Sequence, residues 1–218
     1  MTSVIHLIRH GITEGITGRY FYGWRDLPVI EEGFKELEEF KKQGIYPKLD
    51  LEDTNFYTSG MIRANQTLET IYGKVDFTEN PKLKEINFGA WEMKTYKDLE
   101  DENKWQEWME DRTGTFAFPG GGDSTLSFYA RIMEGFNEVK GQHRMKELSH
   151  RHSGKDAVSC IVCHGGTIAA MMLHLFEGER EYIGDWTPHT GCGYSVYFEN
   201  GEPVRYEEIN PGGLRYQF

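Results

Sequence analysis

Two histidines in this sequence each follow an apolar run and precede a glycine. Residues 4–8 lead into Arg9-His10-Gly11, and residues 157–163 lead into His164-Gly165-Gly166. A neutral imidazole can attack phosphorus, and the rigid guanidinium fork of an arginine matches the oxygens of a phosphate group. These residue types therefore favour a phosphate pocket that contains a nucleophile.

A third polar position follows another apolar run. Asn55–Thr58 leads through Ser59 into a helical pattern whose first turns carry Arg63, and we predict that Ser59 caps this helix. Taken alone, each signal has a simpler interpretation: a lone histidine after a strand is usually a packing residue, and a lone helix arginine is usually solvated. The glycines could serve turn geometry only. Three such junctions in one chain are what favours chemistry.

The elements that would position these residues alternate along the chain. Apolar runs predict strands at residues 4–8, 55–58, 157–163, 194–198 and 204–209, with helical periodicity between them. This order predicts an α/β fold, a three-layer α/β/α sandwich around a mainly parallel sheet. The last two runs predict a hairpin that adds an antiparallel strand.

The carboxyl ends of parallel strands share one edge of a sheet, and ligands bind at that edge. The three junctions should therefore converge, although they lie far apart in sequence. The helix that follows Gly165 would add free N–H groups and a positive dipole end, which is a further anion site.

Composition limits the partners. The net charge is −11, from 24 Lys and Arg against 35 Asp and Glu, which argues against nucleic acid or an anionic membrane because both require a basic face. No run approaches the ~20 apolar residues of a membrane span. We predict one domain over residues 1–218, in which the segment at about 94–122 covers one edge of the sheet. A monomer and a homodimer are both left open.

Cysteines and the amino terminus indicate the compartment. Three cysteines are an odd count that implies no disulfide framework, and residues 1–8 predict a strand rather than a signal peptide, so we expect a cytoplasmic protein. Cys160 and Cys163 have CxxC spacing, but within a strand they should point to opposite faces as buried thiols. We expect no metal and no cofactor, because the sequence has no cluster of carboxylate, histidine or cysteine ligands.

Four motifs in register resemble the histidine phosphatase superfamily, which includes the cofactor-dependent phosphoglycerate mutases. They are Leu7-Ile8-Arg9-His10-Gly11 with Thr13, residues 58–67, residues 83–92, and Val162-Cys163-His164-Gly165-Gly166. Residues 22–28 and 118–124 are also similar. The resemblance runs in the right order over nearly the whole chain, and it implies a phosphoglycerate mutase-like fold.

The resemblance also implies roles for individual residues. His10 would be the nucleophile and Glu85 the proton donor, while the phosphoryl oxygens would be held by Arg9, Arg63 and His164. The expected substrate-binding residues are Arg9, Thr13, Tyr22, Gly23, Arg63 and Gly165. Tyr22 and Trp24, in the loop after the nucleophile, are expected to shape the substrate pocket.

Two positions depart from the family pattern. The family often has a glutamate where Ile12 stands and usually an asparagine, a phosphate contact, where Ile16 stands. An aliphatic side chain cannot donate a hydrogen bond to an oxyanion, so Thr13 or Arg19 would have to compensate.

The preferred interpretation is a phosphomonoester hydrolase that acts on a small phosphorylated metabolite through a phosphohistidine. Residues 105–124 resemble the α-ribazole phosphatase and broad-specificity phosphatase branch. The first alternative is a phosphoglycerate mutase, although mutases are usually longer between the motifs of Glu85 and His164. The second is a catalytically weak phosphate-binding module, favoured by Ile12 and Ile16 but opposed by the retained nucleophile and acid.

The remaining histidines and tryptophans receive structural interpretations. We predict that His143, His150 and His152 lie at a solvated helix end and that His174 is a core residue. His189 is a weak candidate for the edge of the pocket. Trp105 and Trp108 are expected to pack in a core or a lid.

Overall fold

A computed structural model describes residues 2–212, whose strands form one mixed sheet in the order β3-β2-β4-β1-β5-β6. The strands are β1 (Ser3–Arg9), β2 (Asn55–Thr58), β3 (Phe77–Glu79), β4 (Ala157–Cys163), β5 (Gly193–Glu199) and β6 (Glu202–Ile209). The first four in spatial order pair in parallel, and β5 and β6 add antiparallel pairs. The predicted mainly parallel sheet and terminal hairpin are confirmed. Strand β3 was not predicted, because it is short and its side chains are exposed.

The two central strands explain why the histidine junctions meet. Strands β1 and β4 are apolar and almost entirely buried, as expected for strands covered on both faces. Their register runs from Ser3 opposite Ala157 to Arg9 opposite Cys163, so both strands end at the same level. The residues that follow them therefore lie side by side at one edge of the sheet.

The helices are α1 (Glu14–Thr17), α2 (Glu31–Gln43), α3 (Ile62–Tyr72), α4 (Tyr96–Leu99), α5 (Asn103–Glu110), α6 (Thr125–His150) and α7 (Gly165–Leu175). Helices α6 and α7 cover the face that carries Ile5 and Leu7, and α2 and α3 cover the face that carries Ile8. The three-layer α/β/α sandwich is confirmed. Within the described part of the chain, no helix is long and apolar enough to cross a membrane.

Helix starts follow local side-chain chemistry in one case and not in another. Helix α6 is capped by Ser124, whose hydroxyl accepts from the N–H of Ser127 at 3.1 Å. The prediction that Ser59 caps α3 is wrong, because Met61 is the N-cap residue. Gly60 has a φ of +79°, and after this left-handed turn the Ser59 hydroxyl accepts from the N–H of Met61 at 3.4 Å, one residue before the helix begins.

The segment at about 94–122 contains α4 and α5 and packs together with Trp91 and its neighbours in an aromatic cluster separate from the sheet cores. Trp91, Leu99, Trp105 and Phe118 are buried there, packed against partly buried residues that include Phe21, Phe88 and Trp108. The expectation that Trp105 and Trp108 pack in a core is confirmed.

Two predictions about histidines are wrong. His143 is buried on the sheet side of α6, where its Nε2 and Nδ1 lie 2.9 Å from the hydroxyls of Ser3 and Ser159. His174 is exposed because it lies on the side of α7 away from the core, against which Leu173 and Leu175 pack, and its Nδ1 lies 3.3 Å from the hydroxyl of Tyr129.

The two cysteines of the CxxC spacing behave as expected. Cys160 lies in the core under α2 and α3, and Cys163 lies in the core under α6 and α7, so the thiols point to opposite faces of β4. Burial raises the pKa of both thiols, and neither is solvent-accessible.

Candidate active site

The two histidine junctions form the floor of a cavity of about 780 Å³ at the carboxyl ends of the strands. The rings of His10 and His164 lie edge to face, with centroids 5.3 Å apart. The inner wall of the cavity is polar and consists of Arg9, His10, Arg63, Glu85, Gly165 and Gly166. The outer wall is mostly apolar and aromatic, with Ile16, Tyr20, Phe21, Phe88 and Tyr96, and it includes Arg19.

His10 is buried and carries its ring proton on Nδ1. Nδ1 lies 2.8 Å from the carbonyl oxygen of Gly11, and a carbonyl only accepts, so Nδ1–H donates and Nε2 keeps a lone pair. Burial lowers the pKa of His10 well below its usual value, and the charges of Arg63 and Arg9 lower it further, against a smaller opposing effect of the Gly11 bond. A neutral imidazole with Nε2 available has the form that a nucleophile requires.

Arg63 is fully buried at the start of α3 and is held by three hydrogen bonds. Its two terminal nitrogens donate to the carbonyl oxygens of Gly23 at 2.6 Å and Arg25 at 3.0 Å. Its Nε donates to Nδ1 of His164 at 3.2 Å. The guanidinium is therefore fixed in the cavity wall before any ligand arrives.

His164 lies behind Arg63 rather than in the wall of the cavity. Because Arg63 only donates, Nδ1 of His164 accepts, and Nε2–H then donates to the Ser59 hydroxyl at 2.8 Å. Burial lowers the pKa of His164 well below its usual value, and the charge of Arg63 contributes next. In this arrangement His164 orients Arg63, and Ser59 orients His164.

Glu85 reaches the same cavity from the segment after β3. One carboxylate oxygen accepts from the N–H of Gly166 at 2.8 Å, and the other accepts from the N–H of Ile86 at 2.9 Å. The predicted anion site at the start of α7 is thus engaged by the Glu85 carboxylate itself. The Glu85 carbonyl oxygen is held by Trp24 Nε1 at 3.0 Å and by Arg131 at 3.1 Å.

Arg9 and Gly165 pack closely against each other. One terminal nitrogen of Arg9 donates to the carbonyl oxygen of Pro188 at 2.8 Å. A Cβ at position 165 would lie 3.1 Å from Nε of Arg9, so glycine leaves room for the arginine beside the start of α7. Both residues line the cavity.

Two predicted substrate-binding residues do not line the cavity. Thr13 is fully buried, and its hydroxyl donates to the hydroxyl of Tyr22 at 2.7 Å. Gly23 lies behind Arg63, as its carbonyl bond indicates. Tyr22 does line the cavity. Thr13 and Gly23 therefore support Tyr22 and Arg63. The other predicted site residues line the cavity, except His164, which contacts Arg63 from behind.

The two departures from the family pattern lie in different surroundings. Ile16 is part of the outer cavity wall, whereas Ile12 is not. Arg19 lines the outer wall with an exposed side chain and a φ of +51°. His189 does not line the cavity, and its Nδ1 contacts the neighbouring Thr190.

Sequence reasoning missed residues whose contacts go to the backbone. The Glu92 carboxylate and the Arg131 guanidinium bond mainly to peptide groups of distant segments. Glu92 closes the third motif, and that position was the only signal for it. Aromatic residues of the outer wall, such as Tyr20 and Tyr96, gave no signal because aromatic side chains are common in cores.

Comparison with known proteins agrees with this geometry. Residues 5–210 match the family model described as the histidine phosphatase superfamily (branch 1). A 2,3-bisphosphoglycerate-dependent phosphoglycerate mutase from Parvibaculum lavamentivorans is 25% identical over 98% of this chain and 94% of its own length. An adenosylcobalamin/alpha-ribazole phosphatase from Salmonella typhimurium is 27% identical over 87% of this chain and 88% of its own.

Solved structures show the same fold. A candidate alpha-ribazole-5'-P phosphatase from Escherichia coli superimposes with a TM-score of 0.74 over 100% of both chains, at 19% identity. A phosphoglycerate mutase from Thermus thermophilus superimposes with a TM-score of 0.62 at 25% identity, over 93% of this chain and 97% of that one. The chain is similar to phosphatases and to mutases.

Proposed function

The chain belongs to the histidine phosphatase superfamily, branch 1, and on that premise we propose that His10 takes the phosphoryl group from a small phosphomonoester and passes it to water. The observation that carries this proposal is the state of His10. It is buried and neutral, its Nδ1–H is fixed on the Gly11 carbonyl, and its side chain lines a cavity together with Arg9 and Arg63.

The reaction divides into two displacements at phosphorus. Nε2 of His10 forms a bond to phosphorus while the phosphorus–oxygen bond to the leaving group breaks. Glu85, in the same cavity, acts as the general acid and gives a proton to the departing oxygen. Water then forms a bond to phosphorus while the bond between phosphorus and Nε2 of His10 breaks; the water gives a proton to the Glu85 carboxylate, and phosphate leaves.

Charge on the phosphoryl oxygens would be stabilised by the two arginines of the inner wall. Arg63 is already oriented by three protein acceptors, so little reorganisation is needed when the substrate binds. Arg9 lies beside it, against Gly165. His164, which touches Arg63, contributes mainly by holding that arginine in place.

We propose that no metal ion takes part, since arginines supply the positive charge. Among residues 2–212 there is no group of three or more His, Cys, Asp or Glu side chains placed to hold a metal. This proposal also includes one domain over residues 1–218 and a cytoplasmic location. It includes both a monomer and a homodimer as oligomeric states.

The outer wall favours a leaving group with an apolar or ring-shaped portion. Phe21, Phe88 and Tyr96 offer aromatic surface in the same cavity as His10 and the two arginines. The name of the Salmonella relative, an adenosylcobalamin/alpha-ribazole phosphatase, is in line with such a substrate. A weak phosphate binder would need neither His10 nor Glu85 in this arrangement.

A phosphoglycerate mutase is the second candidate, because the Parvibaculum relative spans nearly the whole chain. The two functions separate in one experiment. Phosphate release is measured over a panel of alkyl, sugar, nucleoside and aryl phosphates, alongside interconversion of 2- and 3-phosphoglycerate. We expect phosphate release, fastest with ring-bearing esters. Rapid interconversion of phosphoglycerate with little release would establish the mutase instead.

A further inference from the structure

The carboxylate of Glu92 is surrounded by backbone N–H groups. It accepts from Gly23 at 3.0 Å, Trp24 at 2.9 Å, Arg25 at 3.0 Å and Phe88 at 3.0 Å. Three of these donors are consecutive, so the turn at residues 23–25 wraps around the carboxylate as a backbone nest wraps around an anion. Glu92 therefore fixes the conformation of this turn.

The other side of the same turn faces Arg63. The carbonyl oxygens of Gly23 and Arg25 accept from the two terminal nitrogens of Arg63. Peptide groups of one short turn thus connect Glu92 on one side to the guanidinium on the other. Position 23 must be glycine, because a Cβ there would collide with the carbonyl of Ile86.

We propose that Glu92 is a positioning residue that holds the turn at residues 23–25 so that its carbonyls aim Arg63 at the phosphate. Arg63 has five N–H donors, and the turn and His164 engage three of them. The remaining donors have a fixed direction only if the turn is rigid. The proposal rests on the proposed function in one respect, namely that Arg63 binds phosphate.

The negative charge of Glu92 also supports phosphate binding by Arg63. Burial lowers the pKa of Arg63, and nearby groups, among them Glu85, Asp26 and Glu92, counteract this effect. A negative charge behind the turn thus favours the charged state of the guanidinium. Replacing the carboxylate by an amide would remove this charge and also place N–H donors opposite N–H donors.

The first measurement is the affinity of Glu92→Gln for inorganic phosphate, determined by isothermal titration calorimetry. Loss of charge-assisted hydrogen bonds that orient a ligand contact should weaken phosphate binding by about 10- to 100-fold. Unchanged affinity would overturn the proposal. This assay measures binding and needs no turnover. If the wild type binds phosphate but releases none from phosphomonoesters, the proposed function is refuted while the positioning role of Glu92 is still tested.

The second measurement is a double-mutant cycle with Arg63→Met. If Glu92 acts through Arg63, the double variant should bind phosphate no more weakly than Arg63→Met alone. Additive losses would show that Glu92 acts by another route and would overturn the proposal. If Arg63→Met does not fold, Arg63→Lys takes its place, since lysine keeps the charge but lacks the fork.

Asp111 offers a matched control. Its carboxylate also accepts from closely spaced backbone donors, at Thr113, Gly114 and Phe116, with distances of 2.9, 3.1 and 2.8 Å. The Arg63 hydrogen bonds described above go to residues 23, 25 and 164, none of which belongs to this loop. Asp111→Asn should therefore leave phosphate affinity at the wild-type value. A loss equal to that of Glu92→Gln would indicate general loosening of the fold and would overturn the proposal.

Discussion

Two pairs of buried histidines occupy opposite parts of this molecule. His10 and His164 follow the carboxyl ends of β1 and β4, whereas His6 lies within β1 and His143 packs near its amino end. Burial is the first cause of a lowered pKa in all four cases, and for His6 and His143 it lowers the pKa to about 4. A low histidine pKa is therefore shared by both regions and does not by itself mark the active site.

The hydrogen bonds distinguish the two regions. The Ser3 hydroxyl donates a hydrogen bond to the Glu147 carboxylate, so Nε2–H of His143 donates to the Ser3 oxygen and Nδ1 accepts from the Ser159 hydroxyl. Both ring nitrogens of His143 are thus engaged. In His10 the Gly11 carbonyl fixes one nitrogen and leaves Nε2 available.

The neighbouring charges differ as well. His10 lies near the cations of Arg63 and Arg9, which can hold a phosphate, whereas His143 lies near Glu147 and Lys146. Of these four histidines, only His10 lines the cavity described above. An available nitrogen, two arginines and space for a ligand together indicate nucleophilic chemistry, and burial alone indicates packing.

The largest expected effect separates the two regions directly. His10→Ala should lower kcat by about 10⁶-fold, the scale seen when a hydrolase loses its nucleophile. The matched variant His143→Gln should keep activity within a few-fold of the wild type, because it lies outside the cavity. Initial rates with a ring-bearing phosphate ester check both expectations. Comparable losses in the two variants would break the comparison.

A labelling experiment tests the phosphohistidine itself. A brief reaction with labelled substrate should leave an acid-labile, base-stable phosphoryl group on the wild type and none on His10→Ala.

The next largest effect tests whether Glu85, in the inner wall, is the general acid. Glu85→Gln should slow alkyl phosphates by ~10²–10⁴-fold, because an alkoxide needs a proton, and should slow 4-nitrophenyl phosphate much less. A burst experiment first checks that phosphorylation of His10 limits the rate for both esters. Equal losses for the two substrates would exclude Glu85 as the acid that protonates the leaving group.

A smaller effect is the pH dependence of folding stability that His6 and His143 cause. His6 and His143 have folded-state pKa values of about 4, against 6.5 in the unfolded chain. The unfolded state therefore binds more protons between these values, and stability must fall as pH decreases from 6.5 to 4. Each histidine contributes up to about 1.4 kcal/mol per pH unit in this window.

Urea unfolding at a series of pH values measures this dependence. The variant His143→Gln cannot titrate at this position, so its free energy of unfolding should fall less steeply than that of the wild type between pH 6.5 and about 4. Identical slopes would mean that His143 is not neutral in the folded protein. Carboxylates remote from position 143 contribute equally in both proteins and cancel in the difference, whereas Glu147, whose pKa is lowered in part by His143, does not cancel completely.

For removal of metal ions, we expect no effect on activity. Treatment with EDTA should leave phosphate release unchanged, because Arg9 and Arg63 rather than a metal provide positive charge in the cavity. A loss of activity that Mg²⁺ or Zn²⁺ restores would contradict this expectation and would make the arginines insufficient for catalysis.

The sequence by itself determined the frame of this protein. Strands β1 and β4 are mostly apolar and buried, and the residues that follow them emerge at the same edge of the sheet, so the meeting of His10 and His164 could be predicted. The motif of residues 83–92 placed Glu85 in the site through resemblance alone, since no strand end precedes it directly. These signals depend only on residues that are close together in the sequence, so they can be recognised without the structure.

Tertiary structure alone decided the parts that depend on peptide groups. Every residue except proline carries the same N–H and C=O, so no residue type reveals that Glu92 would gather the donors of residues 23–25 or that Gly11 would fix the tautomer of His10. Burial of His143 likewise followed from the side of α6 that meets the sheet, which the periodicity of a polar helix end did not specify.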